Sequence, residues 1–424
     1  MIAPILMALL VALSAAPARS SEAATADDTA RFLAGLAPSS DSRLSALAKD
    51  PAWLSHARYF DSIFARAESA ELSKVREFSK KYLTDKHDTM LYMFSGPDFL
   101  YATSFFPNAS TYVLAGLEPV GEIPDLTALG PWAINGELRT LELSTSSLFN
   151  FSFFITQNMK TQLREGPVYG TLPILYVFLA RTGKTIHELN LGRLDEQGNF
   201  QIADDPAATD VNTKKLVTGP PHSAALGVKI VFSDGTKPKQ TLYYFSINLA
   251  DGSFERSRFS DFLAKLGPAD SLIKSASYLL HKAHFTSVRK LLLTHSATIL
   301  QDDSGIPLGY FEAKEWRLQA FGHYAGPIPM FASFYQPRMA ELFQGARPID
   351  FGIGYRWRKT ESNLLLAQKG LPPSSEVELT PYSQAEVNTT GTAAPSPKKT
   401  RKRLKTEATR SLGCQIAKVF PFCW

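Results

Sequence analysis

The part of the chain that most constrains its fold is the stretch 90–121, MLYMFSGPDFLYATSFFPNASTYVLAGLEPVG. It is apolar and aromatic, and turn-forming residues divide it. Residues 91–94 indicate a short buried strand, the following Ser-Gly-Pro breaks that strand, and residues 98–106 can form a short helix. Residues 111–115 indicate a second strand. The stretch therefore predicts a strand–turn–helix–strand unit, which places polar groups at the carboxyl ends of strands.

The rest of the sequence predicts a mixed α/β (α+β) protein, with a helical N-terminal segment and a β-hairpin-rich second half. Residues 52–82 carry apolar side chains at helical spacing. Segments 228–232 and 241–248 alternate and flank Asp-Gly, which favours a hairpin. Segments 297–301 and 307–311 flank Asp-Asp-Ser-Gly and predict a second hairpin.

Other segments carry weaker patterns. Residues 171–180 are apolar throughout, so their periodicity does not separate helix from strand. Residues 271–293 and 363–369 predict helices, whereas 349–357 alternate and predict a strand.

The chain of 424 residues divides by composition into three parts. Residues 2–16 are apolar and small, and Ala16-Pro17-Ala18 fits a cleavage site, so residues 1–18 predict a signal peptide and an exported protein, periplasmic or extracellular. The alternative is a buried N-terminal helix. Residues 26–370 predict a single globular body with a candidate boundary in the polar stretch 192–222. Residues 371–424 are rich in Pro, Ser, Thr, Glu and Lys and predict a disordered basic tail.

The positive charge is concentrated in that tail. It holds eight Lys or Arg and four Glu, a net charge of +4 out of +5 for the whole chain. The nearly neutral body argues against nucleic-acid binding. The tail's basic patch is a candidate contact for anionic envelope polymers or lipid head groups, and the alternative is a solvated tail; it comprises Lys398, Lys399, Arg401, Lys402 and Arg403.

The two cysteines of the chain are Cys414 and Cys423, both in the tail. In an oxidising compartment they can form a disulfide; the alternative is two free thiols. The body therefore needs no disulfide in order to fold.

Four carboxylates are the strongest candidates for chemistry. Asp98 and Glu118 each follow a predicted strand, so both are expected at one edge of a sheet. Asp302 and Asp303 are expected at a hairpin tip. Carboxylates in unlike environments can act as a general acid and base. The alternatives are a helix N-terminal residue for Asp98 and turn chemistry for Asp302 and Asp303.

Weaker motifs lack their supporting context. His281 and His284, three residues apart on a predicted helix, have a spacing that can share a metal, but no further ligand completes the set. Ser271 and Lys274 have the S-x-x-K spacing of acyl-transferring enzymes, without the accompanying motifs, and a Ser N-cap is the simpler interpretation. No cofactor motif is found; the Gly-Lys-Thr at 183–185 lacks the first glycine of a phosphate loop.

The fragments FSGPDFLYATSFFPNASTYVLAGLEPVG, LQDDSGIPLGYF and FGIGYRWRKTESNLLLA together resemble a family of uncharacterised exported bacterial proteins. The resemblance covers about residues 26–368 and implies export and a single-body fold. It implies no activity, cofactor or catalytic residue. The leading hypothesis is an exported, non-enzymatic binding or envelope-associated protein; it rests on the predicted signal peptide, the nearly neutral body and the missing catalytic motifs. The alternative is a hydrolase with a carboxylate site around Asp98 and Glu118.

Overall fold

The structure is a computed structural model that describes residues 19–84, 87–154, 166, 168–203, 209–210, 215–216 and 225–370. The predicted signal peptide (1–18), the tail (371–424), both cysteines and the basic patch lie outside the described residues. Residues 204–208, 211–214 and 217–224, which include much of the polar stretch 192–222, also lie outside them.

The described helices and strands alternate along the chain in a mixed α/β protein. The α-helices are α1 (Arg19–Leu33), α2 (Pro51–Ala67), α3 (Ser73–Tyr82), α4 (Phe99–Phe105), α5 (Pro131–Phe151), α6 (Leu172–Arg181), α7 (Asp251–Arg256), α8 (Phe259–Ala264), α9 (Thr286–His295) and α10 (Pro337–Leu342). The strands are β1 (Thr89–Met93), β2 (Thr111–Gly116), β3 (Thr185–Leu194), β4 (Phe200–Ile202), β5 (Thr209–Asp210), β6 (Lys215–Leu216), β7 (Leu226–Ser233), β8 (Gln240–Ser246), β9 (Ala269–Ile273), β10 (Ser296–Gln301), β11 (Trp316–Gly322) and β12 (Asn363–Lys369).

Ten strands form one sheet in the order β11-β12-β10-β9-β1-β2-β8-β7-β3-β4. The five central strands, β10-β9-β1-β2-β8, are parallel, and the strands outside them pair antiparallel. Along the chain the sheet grows from β1 through β2 to β8 and then returns to the other side of β1 with β9 and β10. This doubly wound arrangement has its topological switch point between β1 and β9.

Helices cover both faces of the sheet. Met90 and Tyr92 of β1 belong to the core beneath α1–α6, whereas Leu91 and Met93 belong to the core beneath α7–α10. Because both faces are buried, a central strand reads as one apolar run rather than as an alternating pattern. This explains why the first half of the stretch 90–121 carries so few polar residues.

The predicted strand–turn–helix–strand unit is confirmed as β1, α4 and β2. Phe94 and Gly96 both have positive φ, which turns the chain sharply at the end of β1. Asp98 then caps α4 by accepting a hydrogen bond from the Tyr101 N–H at 3.1 Å. The hairpin predicted around Asp234 is also confirmed, as the antiparallel pair β7 and β8.

Two predicted helices of the second half are wrong. Residues 271–293 begin with β9, whose five residues are all buried, and only α9 is helical by more than a short turn. Residues 363–369 form β12, which pairs with both β10 and β11. Leu and Ala favour helices locally, but two neighbouring strands complete the backbone hydrogen bonds of this segment. Tertiary pairing decides against local propensity here.

Two predicted strands are also wrong. Residues 349–357 form a turn, in which a single bridge joins Ile353 and Arg356 around Gly354. Residues 307–311 form a 3-10 turn instead of the second arm of a hairpin. The Gln301 side chain explains the latter, because it exchanges two hydrogen bonds of 2.8 Å with the backbone of Ile306 and closes the loop.

The N-terminal helical segment contains one irregularity. Between α2 and α3 the residues Glu68–Leu72 form a turn of π-helix. Such turns often occur near functional sites, because the extra residue redirects a side chain.

On either side of the predicted boundary at 192–222, β3 and β7 pair with each other in the same sheet.

Candidate functional site

A cleft of about 120 Å³ opens at the carboxyl ends of the central strands, beside the switch point between β1 and β9. The ends of β1, β2, β8 and β9 all contribute to its wall. Six of its lining residues are aromatic: Tyr92, Phe94, Phe153, Phe154, Phe285 and Tyr355. Its charged lining residues are Asp98, Glu118 and Lys274. Ligands of doubly wound sheets bind in this position.

Asp98 and Lys274 form a buried ion pair in the wall of this cleft. Asp98 Oδ2 lies 2.8 Å from Lys274 Nζ and accepts a hydrogen bond of 2.9 Å from the Tyr92 hydroxyl. Its other oxygen caps α4. Asp98 is 1% exposed and Lys274 3% exposed, so neither charge is solvated by bulk water. The pair therefore joins the end of β9 to the start of α4.

Lys274 has further partners besides Asp98. Its ammonium group donates a hydrogen bond to the Ser152 carbonyl at the end of α5 and lies 3.4 Å from the centre of the Tyr101 ring. Burial lowers the pKa of Lys274, while the charge of Asp98 opposes that shift. The amine is thus held by a carboxylate, a carbonyl and a ring face, which suits a fixed positive group.

Glu71, on the π-helix turn, extends this network. Its carboxyl oxygen lies 3.4 Å from the Ser152 hydroxyl, which in turn donates to the Tyr101 hydroxyl at 2.8 Å. Burial raises the pKa of Glu71, and the hydrogen bond with Tyr101 opposes that shift. The π turn therefore places the Glu71 carboxyl group close enough to interact with the charge of Lys274.

Glu118 follows β2 and lies against the backbone of two glycines. A Cβ atom added at Gly116 would stand 2.5 Å from Glu118 Oε2, and one added at Gly96 would stand 3.5 Å from the same oxygen. Glu118 is 4% exposed, yet no Lys, Arg or His of the described residues forms an ion pair with it. It is the charged group of the cleft that has no opposite charge beside it.

The segment after β9 adopts an unusual backbone conformation. Ser275, Ser277 and Tyr278 all have φ between 52° and 54°. Asp302 holds this segment, because its Oδ2 accepts from the Ser275 N–H at 2.8 Å and its Oδ1 accepts from Ser304. Left-handed conformations of non-glycine residues persist only where surrounding contacts fix them. Asp302 thus shapes the cleft wall without lining the cleft.

Asp303, the next residue, is buried in a different environment. Its Oδ2 accepts a hydrogen bond from the Tyr278 hydroxyl, whereas its Oδ1 has no partner among the described residues. Burial and the neighbouring Asp302 raise the pKa of Asp303 to about 7. Burial also raises the pKa of Asp302. Both carboxylates directly follow β10 and lie in a buried turn, closed by a hydrogen bond of 3.2 Å from the Gly305 N–H to the Asp302 carbonyl. The predicted turn is therefore present, but the hairpin predicted around it is wrong because a 3-10 turn rather than a strand follows.

This pair predicts an unusual pH dependence of stability. A carboxyl group whose pKa is higher in the folded protein than in the unfolded chain binds more protons when folded, so stability falls as pH rises between those values. We expect the free energy of unfolding to fall between about pH 4 and pH 7 relative to Asp303→Asn, which removes one titrating group. Urea unfolding of both proteins across this range measures the difference. If the free energy of unfolding had the same pH dependence in both proteins, the raised pKa of Asp303 would be contradicted.

The remaining sequence candidates do not form a site. His281 and His284 lie in two successive 3-10 turns rather than on one helix, which removes the geometry on which a shared metal depended. Burial lowers the pKa of His281 to about 3. Ser271 lies within β9, bonded to the Ser296 hydroxyl at 2.7 Å, so the Ser N-cap predicted there is wrong.

The role of Lys274 does not follow from the sequence analysis. As part of S-x-x-K, the residue lies on a segment that the sequence predicts to be helical. The available signal was a lysine directly after a short apolar run, which is the position of a strand's carboxyl end. Asp98 and Glu118 were placed at such positions, and both line the cleft with Lys274.

Within the described residues, no group of three or more His, Cys, Asp or Glu side chains is arranged to hold a metal ion. In the same part of the chain, no helix combines the length and the apolar character required to cross a membrane.

Comparisons of the whole chain with protein-family models, with curated proteins and with solved structures found no match. The resemblance to exported bacterial proteins therefore stays a prediction. The geometry of the cleft carries the functional argument alone.

Proposed function

We propose that this chain is an exported binding protein for a small organic molecule, and that the molecule binds in the cleft between the carboxyl ends of β1, β2, β8 and β9. The observation that carries the proposal is the lining: fixed polar groups and six aromatic rings, four of them half-buried, converge at the topological switch point. Binding pockets commonly combine an apolar wall with a few well-placed polar groups. A dry cavity of about 150 Å³ can hold benzene. This cleft of about 120 Å³ is smaller but opens to solvent beside Leu117, which is 51% exposed, so it suits a compact ligand that extends out of its mouth.

A variant that occupies the cleft tests the proposal. Leu117 lines the cleft and is 51% exposed, so Leu117→Trp adds bulk at its mouth without disturbing the core. Leu143 on α5 is 45% exposed and lies outside the cleft lining, so Leu143→Trp is a matched control. A library of small amines, carboxylates, alcohols and sugars is screened by thermal shift. We expect compounds that stabilise the unmodified protein and the control but not Leu117→Trp; a library without any such compound would overturn the proposal.

The alternative of a two-carboxylate hydrolase has one observation in its favour, since Asp98 and Glu118 line the same cleft. The partners of Asp98 speak against it. Both of its oxygens accept hydrogen bonds and one contacts Lys274, so protonating Asp98 would break a buried ion pair. A general acid or base must exchange its proton in each cycle. Binding is therefore the better supported function.

Export and envelope contact rest on the sequence. The apolar residues 2–16 and the cleavage site at 16–18 support export, and the basic patch supports contact with anionic polymers or head groups. Deleting residues 371–424 is expected to reduce retention on a heparin column, used as an anionic polymer, and the difference is expected to vanish in high salt. Equal retention of both proteins at low salt would refute the tail's role.

A further inference from the structure

Glu118 indicates which class of molecule the cleft accepts. Its carboxyl group is almost fully buried and interacts with the uncharged hydroxyl of Tyr244, but it lacks an ion-pair partner in the described part of the chain. A charge removed from water costs free energy unless it is paired as well as hydrogen-bonded. The nearest positive group of the lining, Lys274, is already paired with Asp98. A ligand is the remaining source of an opposite charge.

The aromatic lining supports the same conclusion. Phe94 and Phe285 contact each other edge to face with ring centres 6.0 Å apart, and Phe153 contacts Tyr355 in the same way at 5.0 Å. All four rings line the cleft that holds Glu118. The faces of aromatic rings attract cations, most strongly where water is excluded. One carboxylate among several rings is a favourable setting for an organic ammonium group.

The backbone around Glu118 reinforces its position. Gly116 leaves no room for a side chain, because an added Cβ would stand 2.5 Å from Glu118 Oε2, and Gly96 lies in van der Waals range of the same oxygen. Glu118 is therefore packed against the ends of β1 and β2. The lining holds Asp98 and Lys274 as a neutral pair, so its net charge comes from Glu118. An anionic ligand would be repelled by the Glu118 carboxylate, because Lys274, the cation of the lining, is already paired with Asp98.

On the basis of the proposed function, we infer that the ligand is a compact organic cation whose ammonium group pairs with Glu118 and whose apolar body contacts the aromatic rings of the cleft. Lys274 then holds Asp98 in place in the cleft wall. It does not contact the charged group of the ligand. The inference assigns Glu118 as the residue that determines specificity.

Three probes with the same ring and different charges test this inference: benzylammonium, benzyl alcohol and benzoate. Affinities are measured by isothermal titration calorimetry. We expect benzylammonium to bind the unmodified protein about tenfold or more tightly than the other two, because it alone supplies both the charge and the ring. Tighter binding of benzoate or benzyl alcohol would overturn the inference while leaving a small-molecule cleft in place. Absence of benzylammonium binding would overturn it as well.

Glu118→Gln is expected to weaken benzylammonium binding about tenfold and to leave benzyl alcohol binding nearly unchanged, since it removes charge and keeps shape. Glu188→Gln, at an exposed position of β3, is the control and should bind as the unmodified protein does. Should Glu118→Gln fail to fold, Gly116→Ala serves instead, because its Cβ displaces the Glu118 carboxyl group. Retention of benzylammonium affinity in the folded variant would refute the role of Glu118.

Discussion

Lys274→Met is expected to destabilise the protein by about 3–5 kcal/mol, because it leaves the buried charge of Asp98 without its partner. Asp98 and Lys274 are almost fully buried and 2.8 Å apart, and their contact joins β9 to the start of α4. The free energy of unfolding in urea measures the loss.

The double variant Asp98→Asn with Lys274→Met should be more stable than Lys274→Met alone, since no uncompensated charge is then buried. An exposed ion pair provides the control. Lys80 is 71% exposed and contacts Glu77 at 2.9 Å, so Lys80→Met should change stability little. Equal effects of Lys274→Met and Lys80→Met would show that the buried pair does not hold the cleft wall together.

Gly354→Ala is the second substitution with a large expected effect. Gly354 has a φ of +56°, and a Cβ there would stand 2.1 Å from Asp302 Oδ2 and 2.9 Å from the Ser275 hydroxyl. The methyl group would push aside the carboxylate that fixes the left-handed segment after β9. We expect a loss of about 3 kcal/mol or more, from backbone strain and from the displaced buried carboxylate together.

Gly235 separates these two contributions. It has a φ of +77° but no atom within 4 Å of an added Cβ, so Gly235→Ala carries backbone strain alone. That variant should lose about 1–2 kcal/mol by the same urea measurement. If the two alanine variants lost equal stability, the turn around Gly354 would not pack on Asp302 as described.

The sequence predicts the centre of this fold well because the relevant signals are local. The stretch 90–121 combines apolar runs with turn residues at each boundary, and β1, α4 and β2 follow those boundaries closely. The hairpin of β7 and β8 is similarly marked by Asp-Gly. Asp98 and Glu118 could be placed at strand ends for the same reason, without knowledge of the rest of the sheet.

The errors share a different cause. β9 and β12 are buried on both faces, so their composition does not distinguish strand from helix, and only pairing with distant strands decides. Lys274 escapes prediction because a helix predicted across β9 gives it no position at a strand end. Asp302 and Asp303 do lie in a turn, in which the Gly305 N–H donates to the Asp302 carbonyl at 3.2 Å. Nothing local in the sequence reveals that β12 and the turn around Gly354 bury that turn.

A crystallographic fragment screen tests whether the cleft binds an organic cation at Glu118. Crystals are soaked with a set of small aromatic amines, alcohols and acids, and bound fragments are located by difference density. We expect amines in the cleft, with the nitrogen within hydrogen-bond distance of Glu118 and the ring against Phe94, Phe153, Phe285 or Tyr355. Fragments bound elsewhere, with this cleft empty in every soaked crystal, would contradict this expectation.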